Sequence, residues 1–317
     1  MANVKRELIS LFKLSLKTSL NLFKVMVPVI IIVRILSEYN LIVEISRPLG
    51  PLMELVGLPA KCGLIWGMTM MNNIYGGIIV FSSIDVGTLT VAQTSVLAIM
   101  MLIAHSLPVE IAIAGRLGAR MPFNFLFRFV GALVFAFILN SLYSHFHLFQ
   151  DVAVPILEKS LAKKDLQTWA LGEMSKLLMI FILIYSLFIL ISILKKIKVI
   201  SIINHLLTPL MRLVGINESS SLLAVIGLIL GLTYGSGLIM EEVDSGRVSK
   251  KDAFFLICFM GYCHALVEDT FLVLLMGAEI FGVLIFRVLI GFSLLYLLMV
   301  FSRLSNSRLQ NKFLWKS

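Results

Sequence analysis

His105 is followed five residues later by Glu110, and His264 five residues later by Asp269. Both pairs lie inside apolar runs, AHSLPVE and CHALVED, where ionisable groups are expensive against lipid and mark solute or ion pathways. Histidine with a carboxylate suits proton transfer near neutral pH and ligation of transition metals. His105, Glu110, His264 and Asp269 are therefore candidates for contact with a substrate, a coupling ion or a metal, and Glu268 adds a further carboxylate. Residues five apart do not share a face of a straight helix, so the pairs need a break in the helix to face one cavity. Pro108, which lacks an N–H, supplies a place for it in the first copy. The competing reading is that each histidine bonds its own carboxylate and only holds the break together.

A second polar group is TMMNNIYGG, with Asn72, Asn73 and Tyr75, answered later by Thr233, Tyr234 and Ser236. Neutral amides and hydroxyls suit a polar solute, and they also bind transmembrane helices together, with Gly76-Gly77 permitting close approach. Arg128 and Arg287 read as side chains snorkelling to headgroups, with pairing to a tip carboxylate as the alternative.

The elements that carry these residues are membrane spans. The chain has 317 residues, 59% hydrophobic and 14% charged, with mean hydropathy +0.99. Soluble domains carry about 25% charged residues, so lipid must be the solvent here. The net charge of +9 is scattered at the ends of apolar runs rather than gathered in a patch, which argues against nucleic acid as a partner. Cys62, Cys258 and Cys263 form no CxxC and no even framework, so neither a disulfide scaffold nor a structural zinc site is indicated. Neither HExxH nor a P-loop is present, which leaves no cofactor and no enzyme to propose and makes an ion gradient the energy source.

Repeats organise the rest. PLMELVGL at 51–58 returns as PLMRLVGI at 209–216, and Tyr75-Gly76, His105, Leu107, Gly118-Ala119 and Phe127-Arg128 all return 159 positions later. The chain divides into a basic amphipathic lead-in at 1–17, a first repeat at 18–147, a polar linker at 148–171, a second repeat at 172–302 and a basic tail at 303–317. Each repeat has four apolar runs: 18–37, 60–82, 90–118 and 122–145, then 172–194, 217–240, 252–278 and 280–302.

Charge placement predicts their orientation, because cytoplasmic flanks collect Lys and Arg. The lead-in and the tail are basic, and Lys195, Lys196 and Lys198 follow the first run of the second repeat. Both termini are then cytoplasmic and the repeats are inverted, which requires an odd number of crossings in each. The expected fold is an all-α polytopic membrane protein of two inverted repeats. Each has three spanning helices, a re-entrant helical hairpin and a short amphipathic helix. The hairpin is expected in the third run, 90–118 and 252–278, where the polar residues lie. Arg247, Lys250 and Lys251 go against this arrangement, which puts them outside.

At AHSLPVEIAIAGRLGAR and CHALVEDTFLVLLMGAE, and at the PLMxLVG segment before each second run, the chain resembles the nucleoside-recognition or gate domain family of bacterial and archaeal membrane proteins. Related gate segments occur in concentrative nucleoside transporters, ferrous-iron transport protein B and spore maturation proteins. The resemblance implies a cytoplasmic-membrane module with broken helices and a solute pathway between two gate copies. The function expected from residues and resemblance together is secondary transport of a small polar or charged solute, nucleoside-like or an organic ion, coupled to a proton or sodium. A divalent-metal transporter and a non-transporting assembly protein are the alternatives. Membrane lipid is the expected surrounding, and a homo-oligomer is left open.

Overall fold

The computed structural model describes residues 2–156, 165–197, 202, 205, 207–211 and 218–315. Among these the fold is all-helical, with two isolated bridges and no strand. The helices are α1 (Ala2–Glu38), α2 (Leu41–Ser46), α3 (Gly50–Leu55), α4 (Cys62–Met71), α5 (Ile74–Ser83), α6 (Val91–Ile103), α7 (Leu107–Arg116), α8 (Met121–His145) and α9 (Leu166–Lys196). They continue as α10 (Glu218–Leu230), α11 (Leu232–Asp244), α12 (Lys250–Cys263), α13 (Leu266–Leu274) and α14 (Arg287–Leu304), the last entered through a π-helical turn at Phe281–Phe286.

Six helices among the described residues are long and apolar enough to cross a membrane: Lys5–Glu38, Val91–Arg116, Met121–His145, Leu166–Leu194, Lys250–Leu274 and Phe281–Leu304. Their burial sorts them. Val91–Arg116 and Lys250–Leu274 are 72% and 78% buried, whereas Lys5–Glu38 and Leu166–Leu194 are 22% and 17% buried. The core is thus built from the third apolar run of each repeat, and the first run of each faces outward. This agrees with α6, VAQTSVLAIMMLI, being apolar on every side, which suits a helix surrounded by protein.

The third run does not fold back as expected. It forms one broken helix that continues in the same direction, because α8 runs antiparallel beside all of it. Met121 touches Gly115, Arg128 bonds Ile103, and Phe149 beyond its end bonds Ala92. The element that folds back is the second run. A Cβ on Gly77 would lie 1.9 Å from the Thr69 hydroxyl, a contact across eight residues that only two helices lying side by side allow. A Cβ on Gly235 would lie 2.8 Å from Gly227 Cα, so α10 and α11 form the matching pair. Each leg of α4–α5 is ten residues, about 15 Å, half of what a crossing needs. A twenty-residue apolar run is therefore as consistent with two half-length legs as with one span.

The broken helices start on duplicated caps. The Thr90 hydroxyl accepts from Gln93 N and the Gln93 side chain accepts from Thr90 N, both at 3.1 Å. Ser249, 159 positions on, accepts from Asp252 N at 3.0 Å and donates to its carboxylate at 2.8 Å.

α1 and α9 pack antiparallel: Phe12 meets Phe181 and Tyr185, Glu7 bonds Ser192 and Lys196, and the Arg34 guanidinium lies over Trp169. At one end of the bundle Ala153 N bonds Leu89 O, Ile156 N bonds Leu275 O, and Glu279 N bonds the Ser95 hydroxyl. At the other end Arg120 N bonds Leu314 O, and Trp315 packs on Phe254 and Phe255.

Candidate functional site

Each broken helix is interrupted at matched positions, Ser106 (φ +48°) and Ala265 (φ +46°), both in the left-handed region. Pro108 follows the first break, at the start of α7, as expected. The second break has Val267 at the matched place and breaks all the same, so proline is not the common cause. The common cause lies in tertiary contacts. The tip of the α4–α5 hairpin docks on the first break, with Ser106 N bonding Thr69 O at 3.1 Å and the Ser106 hydroxyl bonding Asn72 O at 2.8 Å. At the second break Ala265 N bonds Gly227 O of α10.

A broken helix also leaves main-chain carbonyls without partners. Arg128 takes those of Ile103 (2.8 Å) and His105 (3.2 Å), and Arg287 takes those of Tyr262 (2.6 Å) and His264 (2.9 Å). The two arginines are 1% and 0% exposed. They do not snorkel to headgroups, the first reading of the sequence, but take the alternative of pairing at the tips, because the breaks supply acceptors inside the protein that lipid lacks. The signal that could have found them was present: an Arg in the body of an apolar helix, repeated in register.

Each arginine also reaches its repeat's carboxylate. Arg128 pairs closely with Glu110, whereas Arg287 approaches Asp269 at 3.5 Å. Aspartate is one methylene shorter than glutamate and its carboxylate stops short. Arg287 Nη1 is buried without a hydrogen-bond partner.

The histidines meet across the molecule. His105 Nε2 and His264 Nε2 are 2.8 Å apart, each ring at most 5% exposed. His105 Nδ1 lies 3.1 Å from both Met101 O and Leu102 O, and His264 Nδ1 lies 2.6 Å from Met260 O. Carbonyls only accept, so both Nδ1 atoms donate. In two neutral rings both Nε2 atoms would then be acceptors facing each other. The 2.8 Å separation is the length of a hydrogen bond, and a proton placed between the two atoms would satisfy it. Glu110 Oε1 stands 3.4 Å and 3.3 Å from the two Nε2 atoms and Asp269 Oδ2 stands 3.9 Å from that of His105, so carboxylates face the pair.

His105, His264 and Asp269 bring one ligand atom each within 4.8 Å of one another, a donor set that could hold a metal ion. Two imidazole nitrogens on a tetrahedral zinc ion would stand about 3.3 Å apart. The observed 2.8 Å is the spacing of a hydrogen bond, and a metal would require the rings to part by about half an ångström.

The other predicted residues surround this centre. The Tyr75 hydroxyl donates to Glu268 at 2.8 Å, joining α5 of the first repeat to α13 of the second. The Asn73 side chain caps α5 through Gly76 N, and Asn72 Nδ2 is buried without a partner. Ser236 is 2% exposed in α11. The side chains of Thr233 and Tyr234 lie outside the described residues. A buried pair that the sequence reading did not single out, Lys176 and Glu173 at 3.1 Å, ties α9 to Ser82 at the end of α5.

Comparison with known proteins bears on this geometry. Residues 177–279 match the Gate family, described as nucleoside recognition. The second repeat carries a gate-domain match. The matched stretch contains His264, Glu268 and Asp269, and 159 positions earlier it corresponds to 18–120, which contains His105 and Glu110. The chain is 28% identical over 279 residues to YvoD of Bacillus subtilis (strain 168), an uncharacterized membrane protein, covering 86% of this chain and 87% of that one. No solved structure gives a significant match. With six long apolar helices among the described residues, the chain is a multi-pass membrane protein whose residues 177–279 match a gate domain.

Proposed function

We propose that this protein is a secondary transporter of the cytoplasmic membrane in which two inverted gate repeats pass a small polar or charged solute, coupled to the proton held between His105 and His264. It is not an enzyme on this reading, and no cofactor is required. The observation that carries the proposal is that single contact: a buried residue and its own repeat counterpart stand at hydrogen-bond distance where the breaks of both core helices meet. On this reading a proton lies between them, and moving the two halves apart would separate the rings and release it, so proton binding and the state of the gate are linked.

Inversion is supported by the antiparallel packing of α1 on its counterpart α9. It is supported again where the start of α6 meets the end of α13 at Ser95–Glu279, and the start of α12 meets the end of α7 through Trp315 and Ala119. With the hairpin in the second run, each repeat still has three crossings, and α4–α5 and α10–α11 become re-entrant from opposite sides. The same change moves Arg247, Lys250 and Lys251 to the cytoplasmic side, together with Arg116, Arg120 and the basic tail. Glu38, Asp85, Asp151 and Glu279 fall outside. The solute reading rests on two buried donors without partners, Asn72 Nδ2 and Arg287 Nη1, which suit a solute rich in acceptors.

The test is flux in proteoliposomes loaded with a pH-reporting dye and offered a panel of nucleosides, organic anions and divalent cations. A panel member should move protons with it, and His105→Gln with His264→Gln should uncouple or abolish that movement. If zinc or manganese moves instead, and metal binding is lost in the double variant, the metal reading replaces this one. No flux from any member would favour an assembly role.

A further inference from the structure

A cavity of about 840 Å³ lies away from the histidine pair. It opens on the outer side of α8, between that helix, α14 and the C-terminal tail, and its lining runs from Arg120 along α8 to Phe135. Its cationic lining residues are Arg120 and Lys312, which lie near one another in the fold because Arg120 N bonds Leu314 O, two residues beyond Lys312. Leu126 and Val130 on this face are 55% and 48% exposed. Gly131 forms the floor, and a Cβ there would lie 1.8 Å from the Tyr262 hydroxyl, so the glycine is what lets Tyr262 lie across α8 and donate to Phe127 O. That hydroxyl is thereby engaged.

We propose that this groove holds one anionic phospholipid, with an acyl chain along α8 and the headgroup phosphate between Arg120 and Lys312. Three features select that occupant. The groove lies on a helix of membrane-spanning length and faces outward. From Arg120 to Phe135 there are fifteen helical steps, about 22 Å, which equals half of a bilayer about 40–45 Å thick with its headgroups. The two cations sit together at the headgroup end and nowhere else along the lining, which matches a lipid with one charged end and an apolar body. On the orientation proposed above that end is cytoplasmic, the leaflet where anionic lipid draws Lys and Arg. Arg120 N already bonds Leu314 O, and Trp315 anchors the tail on Phe254 and Phe255, so the headgroup would complete a clamp of the tail on α8. Phe127 and Tyr262 line the groove from the same turns that carry Arg128 and precede His264. Neither groove nor occupant depends on which solute the histidine site passes.

The experiment is native mass spectrometry of the full chain purified with phosphatidylglycerol, phosphatidylcholine or palmitic acid. Wild type should retain one phosphatidylglycerol about thirty-fold in preference to phosphatidylcholine, each basic group contributing about fivefold. Arg120→Gln with Lys312→Gln should bring that preference near one, and Val130→Trp, which fills the groove from a half-exposed position, should remove retention of both lipids. A cooperative thermal unfolding transition in lipid-free detergent checks that each variant is folded, and its midpoint should rise on adding phosphatidylglycerol in wild type but not in Val130→Trp. Equal retention of the two lipids by wild type, a preference that survives the double substitution, or displacement of the lipid by equimolar palmitic acid would each overturn the proposal.

Discussion

Glu110 and Asp269 occupy matched positions, yet the structure loads them unequally, and removing the charge from each should have different consequences. Glu110 is in close contact with Arg128 and within 3.4 Å of both imidazoles, with Glu110 7% and Arg128 1% exposed. Glu110→Gln keeps the shape but leaves a buried guanidinium uncompensated, a change that costs about 3–5 kcal/mol. Asp269 stands 3.5 Å from Arg287 and 3.9 Å from His105, at the outer limit of a hydrogen bond. Arg287 already relies mainly on the carbonyls of Tyr262 and His264, so Asp269→Asn should cost about 1–2 kcal/mol. The expected gap of about 2 kcal/mol is roughly thirty-fold in the unfolding equilibrium. Denaturant titration of the two variants in one detergent measures it. Asp269→Glu adds the missing methylene and should recover a fraction of a kilocalorie rather than lose stability. Equal costs for Glu110→Gln and Asp269→Asn, or a larger cost for the second, would refute the argument that chain length sets the strength of the two pairs.

Gly77→Ala should destabilise by about 1–3 kcal/mol, since its methyl group would meet the Thr69 hydroxyl and force the hairpin legs apart. Gly67→Ala on the same hairpin meets nothing within 4 Å and should be neutral or stabilising by up to about 1 kcal/mol; both are read by the same titration. The three native cysteines are buried, so single exposed cysteines report topology directly: Asp151→Cys should react with an impermeant reagent from outside, and Ser245→Cys only after the membrane is opened. Labelling of both from outside would take the hairpin out of the second run of the second repeat. Thr90→Val should cost about 1 kcal/mol by deleting the cap of α6, measurable as a shift in denaturation midpoint.

Much of this was written in one dimension. Composition dictated a membrane protein, because a chain this apolar has no other solvent, and apolar runs of about twenty residues made its spans helices rather than the short alternating strands of a barrel. The 159-residue register showed the duplication, and His105/Glu110 with His264/Asp269 stood out because charge in an apolar run needs a reason. Three things were decided only by tertiary contact. Hydropathy cannot separate two half-length legs from one span, so the run that folds back was settled by Gly77 lying on Thr69. The burial of Arg128 and Arg287 depends on carbonyls freed by breaks that no local pattern marks in the second copy, where proline is absent. And the meeting of the two histidine rings at 2.8 Å, from positions 159 residues apart, is a contact that spacing along a chain does not encode.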